Sequence, residues 1–124
     1  NQFEWAGYLA PQVMGNSHRP DLAEDLRATL ASANPITSRR FAEVTFLSDI
    51  RDQLPRIPVP VSILYCSEDI IVPLEVVDFM RDQIPDCRTH LLDATGHYPH
   101  MSNPDAVIRA IGGELEHHAN AEIA

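Results

Sequence analysis

The chain has 124 residues, of which 44% are hydrophobic and 22% charged, and its formal net charge is −9. This length allows one domain at most, and the composition is typical of a soluble globular chain. The acidic charge repels phosphate backbones and argues against a nucleic-acid partner, and no apolar run approaches the roughly 18 residues of a membrane span.

The first fifty residues are predicted to be helical. The chain does not begin with methionine, and residues 1–9 are typical of the middle of an amphipathic helix. We therefore expect a start that has been cut, with a processed N-terminus as the alternative. A second helix is predicted from Pro20 and a third from Asn34, which suits an N-cap. The positions that share one helix face are Leu22, Leu26 and Leu30 in the second helix and Phe41, Val44 and Thr45 in the third.

The second half of the chain alternates predicted strands and helices. An apolar run at 57–66 suits a parallel strand covered on both faces, with its prolines at the start, where they cost least. A helix is predicted from Pro73, a second strand at 88–92 and a final helix from Asn103. The core-facing positions expected in the final helix are Val107, Ile108, Ile111 and Leu115. This order predicts an α/β fold with a parallel βαβ unit and a right-handed crossover.

The chain contains two cysteines, Cys66 and Cys87. Two cysteines do not form a disulfide framework, so we interpret both as free thiols and expect a reducing, cytoplasmic location. Cys66 ends the first predicted strand, where its ordinary role is core packing.

Two chemically active side chains follow the two predicted strands. Asp69 comes just after the first strand and His97 just after the second, and Gly96 gives the histidine loop backbone freedom. Ligands of parallel sheets bind outside the carboxyl ends of the strands, so both loops should meet at one edge. A carboxylate on one imidazole nitrogen fixes the tautomer, and the other nitrogen can then take a proton from a serine hydroxyl.

Plainer interpretations of these residues stay open on spacing alone. An aspartate at a strand end is often a turn or cap residue. A histidine after glycine is often a surface residue or a buried, hydrogen-bonded one. His97 and His100 could also bind a metal, but no third or fourth ligand is well spaced.

Three segments of the chain resemble RsbQ-like α/β-hydrolases, a group that includes a bacterial stress regulator and the plant karrikin and strigolactone receptors. Residues 41–51 (FAEVTFLSDIR) resemble the join between lid and core. Residues 64–73 (LYCSEDIIVP) resemble the strand and acid loop, and residues 94–102 (ATGHYPHMS) resemble the histidine loop. The likeness runs from Trp5 to about Leu115, in the family's order and spacing.

The resemblance implies a role for each matching position. The chain would be the C-terminal part of an α/β-hydrolase fold, preceded by part of a helical lid. Residues 1–50 would belong to the lid and 51–118 to the core, and 119–124 would be a frayed tail. Asp69 matches the acid of a catalytic triad and His97 matches its base. The positions that match the surroundings of the substrate pocket are Trp5, Leu9, Phe46 and Ile71.

The sequence departs from the family pattern at the nucleophile. These hydrolases present their serine in a Gly-x-Ser-x-Gly turn, and the serine precedes both acid and histidine in the chain. The serines of this chain are Ser17, Ser32, Ser38, Ser48, Ser62, Ser67 and Ser102, and none has the flanking glycines. The resemblance therefore implies a nucleophile that lies outside this sequence, before Asn1.

Three hypotheses follow. The first is a fragment of a serine hydrolase that acts on a small apolar ester or lactone and needs no cofactor or metal. The second is a ligand-binding signalling module with slow or no turnover and a regulatory protein partner. The third is a decayed or incomplete fragment without activity, because this chain alone lacks the nucleophile.

Overall fold

The computed structural model describes residues 2–123, and the side chains of 4–121. Its helices are α1 (Gln2–Met14), α2 (Pro20–Ser32), α3 (Pro35–Leu47), α4 (Leu74–Gln83), α5 (Pro99–Ser102) and α6 (Pro104–Ile123). A 3-10 helix covers Arg51–Arg56, and the strands are β1 (Val61–Tyr65) and β2 (Cys87–Leu91). No helix in this described range is long and apolar enough to cross a membrane.

Helices α1 and α2 pack on each other and form the main hydrophobic cluster of the described chain. Ala10 and Met14 of α1 are fully buried. They pack with Leu22 and Leu26 of α2, and Leu30 lies against the same cluster. The predicted leucine stripe is therefore confirmed as the face that α2 buries.

Helix α3 begins where the sequence predicts but buries none of its residues. The Asn34 side-chain oxygen accepts hydrogen bonds from the backbone N–H groups of Ile36 (3.0 Å) and Thr37 (3.1 Å), which is the geometry of an N-cap. Phe41 is 73% exposed and Val44 61% exposed. The cap thus fixes where this helix begins. No described residue buries its apolar face.

The two strands form a parallel sheet, as the sequence predicts. Their register pairs Val61 with Cys87 and Tyr65 with Leu91, and α4 provides the crossover between them. The first strand is shorter than the predicted run at 57–66, because Pro58 lacks an N–H donor and the ladder begins only after the prolines. Every residue of β1 is only half-buried, so the expected cover on both faces is incomplete in this chain.

Helix α6 presents a different face to the sheet from the one predicted. Ala106 and Glu114 are its buried residues, whereas Ile108, Ile111 and Leu115 are 65%, 48% and 67% exposed. The expectation that these three face the core is wrong for the described chain. The helix continues to Ile123, and the frayed tail at 119–124 stays a prediction.

Polar contacts explain the orientation of α6. Ser62 of β1 donates a 2.6 Å hydrogen bond to the Glu114 carboxylate. Two side chains of β2 also reach it: Arg88 Nε lies 3.0 Å and His90 Nε2 2.6 Å from Glu114 Oε1. Because these partners all belong to the sheet, they hold the Glu114 face of the helix inward.

Candidate active site

The two loops that follow the strands meet at the carboxyl edge of the sheet. The loop after β1 carries Asp69, and the loop after β2 carries His97. His97 Nδ1 lies 2.8 Å from Asp69 Oδ2, although 28 positions separate the residues in the chain. The parallel crossover brings them together because it returns the chain in the same direction along the sheet.

Asp69 uses both of its carboxylate oxygens. Oδ1 accepts hydrogen bonds from the backbone N–H groups of Ile71 (2.8 Å) and Val72 (3.1 Å), and Oδ2 faces His97. The two backbone bonds are those of a turn-forming aspartate. Asp69 is therefore both a turn residue and the partner of His97. The two roles are compatible because the turn fixes the carboxylate to which the imidazole is hydrogen-bonded.

The environment of Asp69 favours its charged form. Burial acts on the pKa of this carboxyl most strongly and raises it. The hydrogen bond from His97 and those from the Val72 and Ile71 amides together outweigh burial, so the pKa of Asp69 lies below its ordinary value. The carboxylate is therefore an anion at neutral pH and can stabilise an imidazolium.

His97 is held on one side and open on the other. Its backbone N–H donates to the Val13 carbonyl at 2.8 Å, and its ring stacks edge-on with Tyr98 at a centroid distance of 5.3 Å. Since Nδ1 faces Asp69, Nε2 points away from the carboxylate, and no residue that the structure describes is hydrogen-bonded to it. This arrangement can accept a proton at Nε2 while Asp69 stabilises the resulting charge.

Glycine is required next to the histidine. Gly96 has a φ of +87°, and a Cβ there would overlap the Met14 carbonyl at the end of α1. The backbone freedom predicted for Gly96 is confirmed, and its cause is the close approach of α1.

Sequence reasoning missed the residues of the α1–α2 turn that contact the histidine loop. Gly15 and Asn16 have φ values of 61° and 53°, and Asn16 Nδ2 donates to the carbonyls of Met14 and Thr95, each at 2.8 Å. The Gly-Asn pair between two predicted helices was a turn signal. Nothing in it indicated a partner almost eighty positions away.

A cleft of about 420 Å³ lies beside the pair. Asp69 and His97 line it together with mostly apolar neighbours that include Tyr65, Val72 and Val77. His100 also borders the cleft, but within residues 2–123 no group of three or more His, Cys, Asp or Glu side chains is arranged to hold a metal ion.

The four predicted pocket residues do not line this cleft. Trp5 is 43% exposed and Phe46 71% exposed. Leu9 and Ile71 pack against the cluster between α1 and α2. Their assignment to a substrate pocket stays a prediction.

The chain is similar to curated proteins in sequence and to solved proteins in structure. No family model matches the chain. A probable esterase of Oryza sativa subsp. japonica is 27% identical over 94% of the chain, and the Petunia hybrida "Karrikin insensitive 2 receptor CA" is 26% identical over 94%. A "Pimeloyl-[acyl-carrier protein] methyl ester esterase" of Vibrio atlanticus is 32% identical over 80%. The chain spans 44%, 44% and 40% of these relatives.

The structural comparison agrees with the sequence comparison. A hydrolase from Oleispira antarctica superposes with a TM-score of 0.88 and 34% identity, over 94% of this chain and 42% of that one. The parallel sheet, the flanking helices and the helical segment before them are thus those of a known fold. By sequence and by structure, the chain has the fold of the α/β-hydrolases, and it spans less than half the length of the relatives just named.

Proposed function

We propose that this chain supplies the acid and the base of a serine hydrolase. The observation that supports the proposal most is the 2.8 Å contact between His97 Nδ1 and Asp69 Oδ2 at the carboxyl edge of the sheet. Asp69 is held by two further backbone hydrogen bonds, so the pair is preorganised. His97 acts as general base and Asp69 orients it.

The reaction requires a serine that this sequence does not carry in the expected turn. The serine hydroxyl loses its proton to His97 Nε2 as its oxygen attacks the substrate carbonyl, and a tetrahedral intermediate forms. His97 returns the proton to the leaving alkoxide, which departs as an alcohol. Water, deprotonated by the same nitrogen, then releases the acid and regenerates the serine.

The substrate class that fits is a small, largely apolar ester or lactone. Two relatives carry the word esterase in their names, and the cleft beside His97 has mostly apolar side chains. No metal or organic cofactor is needed for these steps. With both cysteines free, a reducing cytoplasmic location fits the chain as well.

The test begins with the DNA upstream of the codon for Asn1. An in-frame extension with a Gly-x-Ser-x-Gly turn is the expected result, and a stop codon or an extension without that turn would contradict the proposal. The full-length product should then hydrolyse short-chain nitrophenyl esters. Asp69→Asn and His97→Ala should each lower kcat/KM on the order of 10³-fold or more.

Matched controls separate the pair from its surroundings. Asp93 lies in the loop after β2 with an exposed side chain, and His18 is exposed in the turn after α1. Asp93→Asn and His18→Ala should leave the rate near that of the wild type. Equal losses in the control variants would contradict the assignment of Asp69 and His97.

A ligand-dependent signalling module is the second candidate. The observation that favours it is the unburied α3 helix, whose Phe41 and Phe46 are 73% and 71% exposed. A relative with the word receptor in its name is also 26% identical. A complex with a regulatory protein that forms only with ligand and persists in His97→Ala would favour this candidate, whereas fast turnover without a partner would favour the hydrolase.

A further inference from the structure

The histidine loop is fixed by three consecutive residues. The Thr95 carbonyl accepts from Asn16 Nδ2 at 2.8 Å, and the Gly96 N–H donates to the Glu68 carbonyl at 3.1 Å. The His97 N–H donates to the Val13 carbonyl at 2.8 Å. The Glu68 contact ties the loop to the segment that carries the acid. The other two contacts come from the last turn of α1 and from the α1–α2 turn that follows it.

Of these two contacts, only the one from Asn16 is made by a side chain, since the other is made by a backbone carbonyl. Its Nδ2 has two hydrogens, and the two carbonyls of Met14 and Thr95 use both. A reversed amide would direct Oδ1 at two carbonyl oxygens, so the hydrogen-bond network fixes the orientation. Asn16 thereby connects the last turn of α1 to the residue two positions before His97.

The backbone at position 16 restricts which residues can do this. A φ of 53° is tolerated by glycine, asparagine and aspartate far better than by other residues. Glycine has no side-chain donor, and an ionised aspartate would place negative charge against two carbonyl oxygens. Asparagine alone of these three combines the required φ with two donated hydrogens.

We infer that Asn16 is a positioning residue, which sets the His97 loop against α1 and so holds the imidazole on Asp69. This inference rests on the proposed function, because His97 matters only if it acts as the base. Asn16 does not line the cleft beside His97, and its side chain bonds to the carbonyls of Met14 and Thr95 and not to the His97 ring. Its effect reaches His97 through the Thr95 carbonyl, and movement of α1 would be transmitted to the histidine by the same contact.

The experiment compares variants of the full-length gene product. Asn16→Gly keeps the backbone conformation and removes the donor, and Asn16→Asp replaces the donor with an acceptor. Ser17→Gly is the matched control, because it adds a glycine to the same turn at an exposed residue. The measurements are amide hydrogen exchange and the NMR signal of the His97 Nδ1 proton, neither of which needs a nucleophile.

In Asn16→Gly and Asn16→Asp, exchange of the Gly96 and His97 amides should accelerate about tenfold, as expected for a lost hydrogen bond. The His97 Nδ1 proton signal should broaden, while the amides of Leu64 and Leu91 in the sheet and the whole Ser17→Gly variant stay unchanged. Three results would overturn the inference. The loop amides could exchange as slowly in the Asn16 variants as in the wild type, or the sheet amides could accelerate as much as the loop amides. The loop amides of the wild type could also already exchange at the rates of an unfolded chain. Since no activity is measured, these results stay distinguishable from a failure of the proposed hydrolase.

Discussion

Gly96 and Met14 meet backbone to backbone, and the space between them does not admit a side chain. A Cβ on Gly96 would overlap the Met14 carbonyl oxygen and would lie 3.1 Å from that of Val13. The residue before the candidate base is therefore one of the points at which α1 contacts the loops at the carboxyl edge of the sheet. Two segments that are far apart in sequence share one contact there.

Gly96→Ala should destabilise the protein and disturb the histidine loop. The positive φ and the overlap with Met14 together should lower the free energy of unfolding by about 2 kcal/mol or more. Urea unfolding measures this. The control is Gly112→Ala in α6, where a Cβ meets nothing within 4 Å and stability should rise by roughly 0.5–1 kcal/mol. Equal effects at the two glycines would contradict the contact.

Met14→Ala should also be costly, because the Met14 side chain is fully buried in the cluster that α1 and α2 form. Removal of most of this side chain leaves a cavity, for which we expect a loss of about 2–5 kcal/mol in the free energy of unfolding. Met14→Leu nearly conserves the volume and should cost less than about 1.5 kcal/mol. Thermal unfolding of both variants tests this prediction. A small loss of stability in Met14→Ala would mean that the cluster is open to solvent.

Asp69 makes the stability of the protein dependent on acid pH. Its folded pKa is lowered, so its contribution is fully present above the unfolded value, about 3.9. The contribution is lost as the pH falls through the folded pKa. The stability difference between wild type and Asp69→Asn should therefore shrink as the pH falls into the acid range. Urea unfolding at a series of pH values tests this, and a difference that persists in strong acid would be evidence against the paired carboxylate.

Glu114 should attach α6 to the sheet. The Ser62 hydrogen bond contributes most to a lowered pKa of this carboxyl, burial opposes it, and the charges of Arg88 and His90 add to it. Glu114→Ala should lower the urea midpoint more than Glu114→Gln, which keeps an acceptor for the Ser62 hydroxyl. Glu116 is exposed on the same helix, and Glu116→Ala should have little effect. Equal midpoints for the two alanine variants would exclude the anchoring role.

Much of the architecture follows from local patterns in the sequence. The apolar run before Cys66, the proline before α4 and the cap at Asn34 each depend on neighbours a few positions away, so their elements were predictable. The Asp69–His97 pair was predictable for a different reason, since parallel strands place the loops at their carboxyl ends together. The resemblance of residues 64–73 and 94–102 to known loops gave the same pair.

Tertiary structure alone decided the remaining features. The inward face of α6 depends on Ser62, Arg88 and His90, which lie on strands far away in sequence, so a count of apolar positions selected the wrong face. The contact of Asn16 with Thr95 spans 79 positions and involves a backbone carbonyl, which leaves no trace in the identity of residue 95. Local periodicity determines where elements form, whereas the packing of distant segments determines which side chains they turn inward.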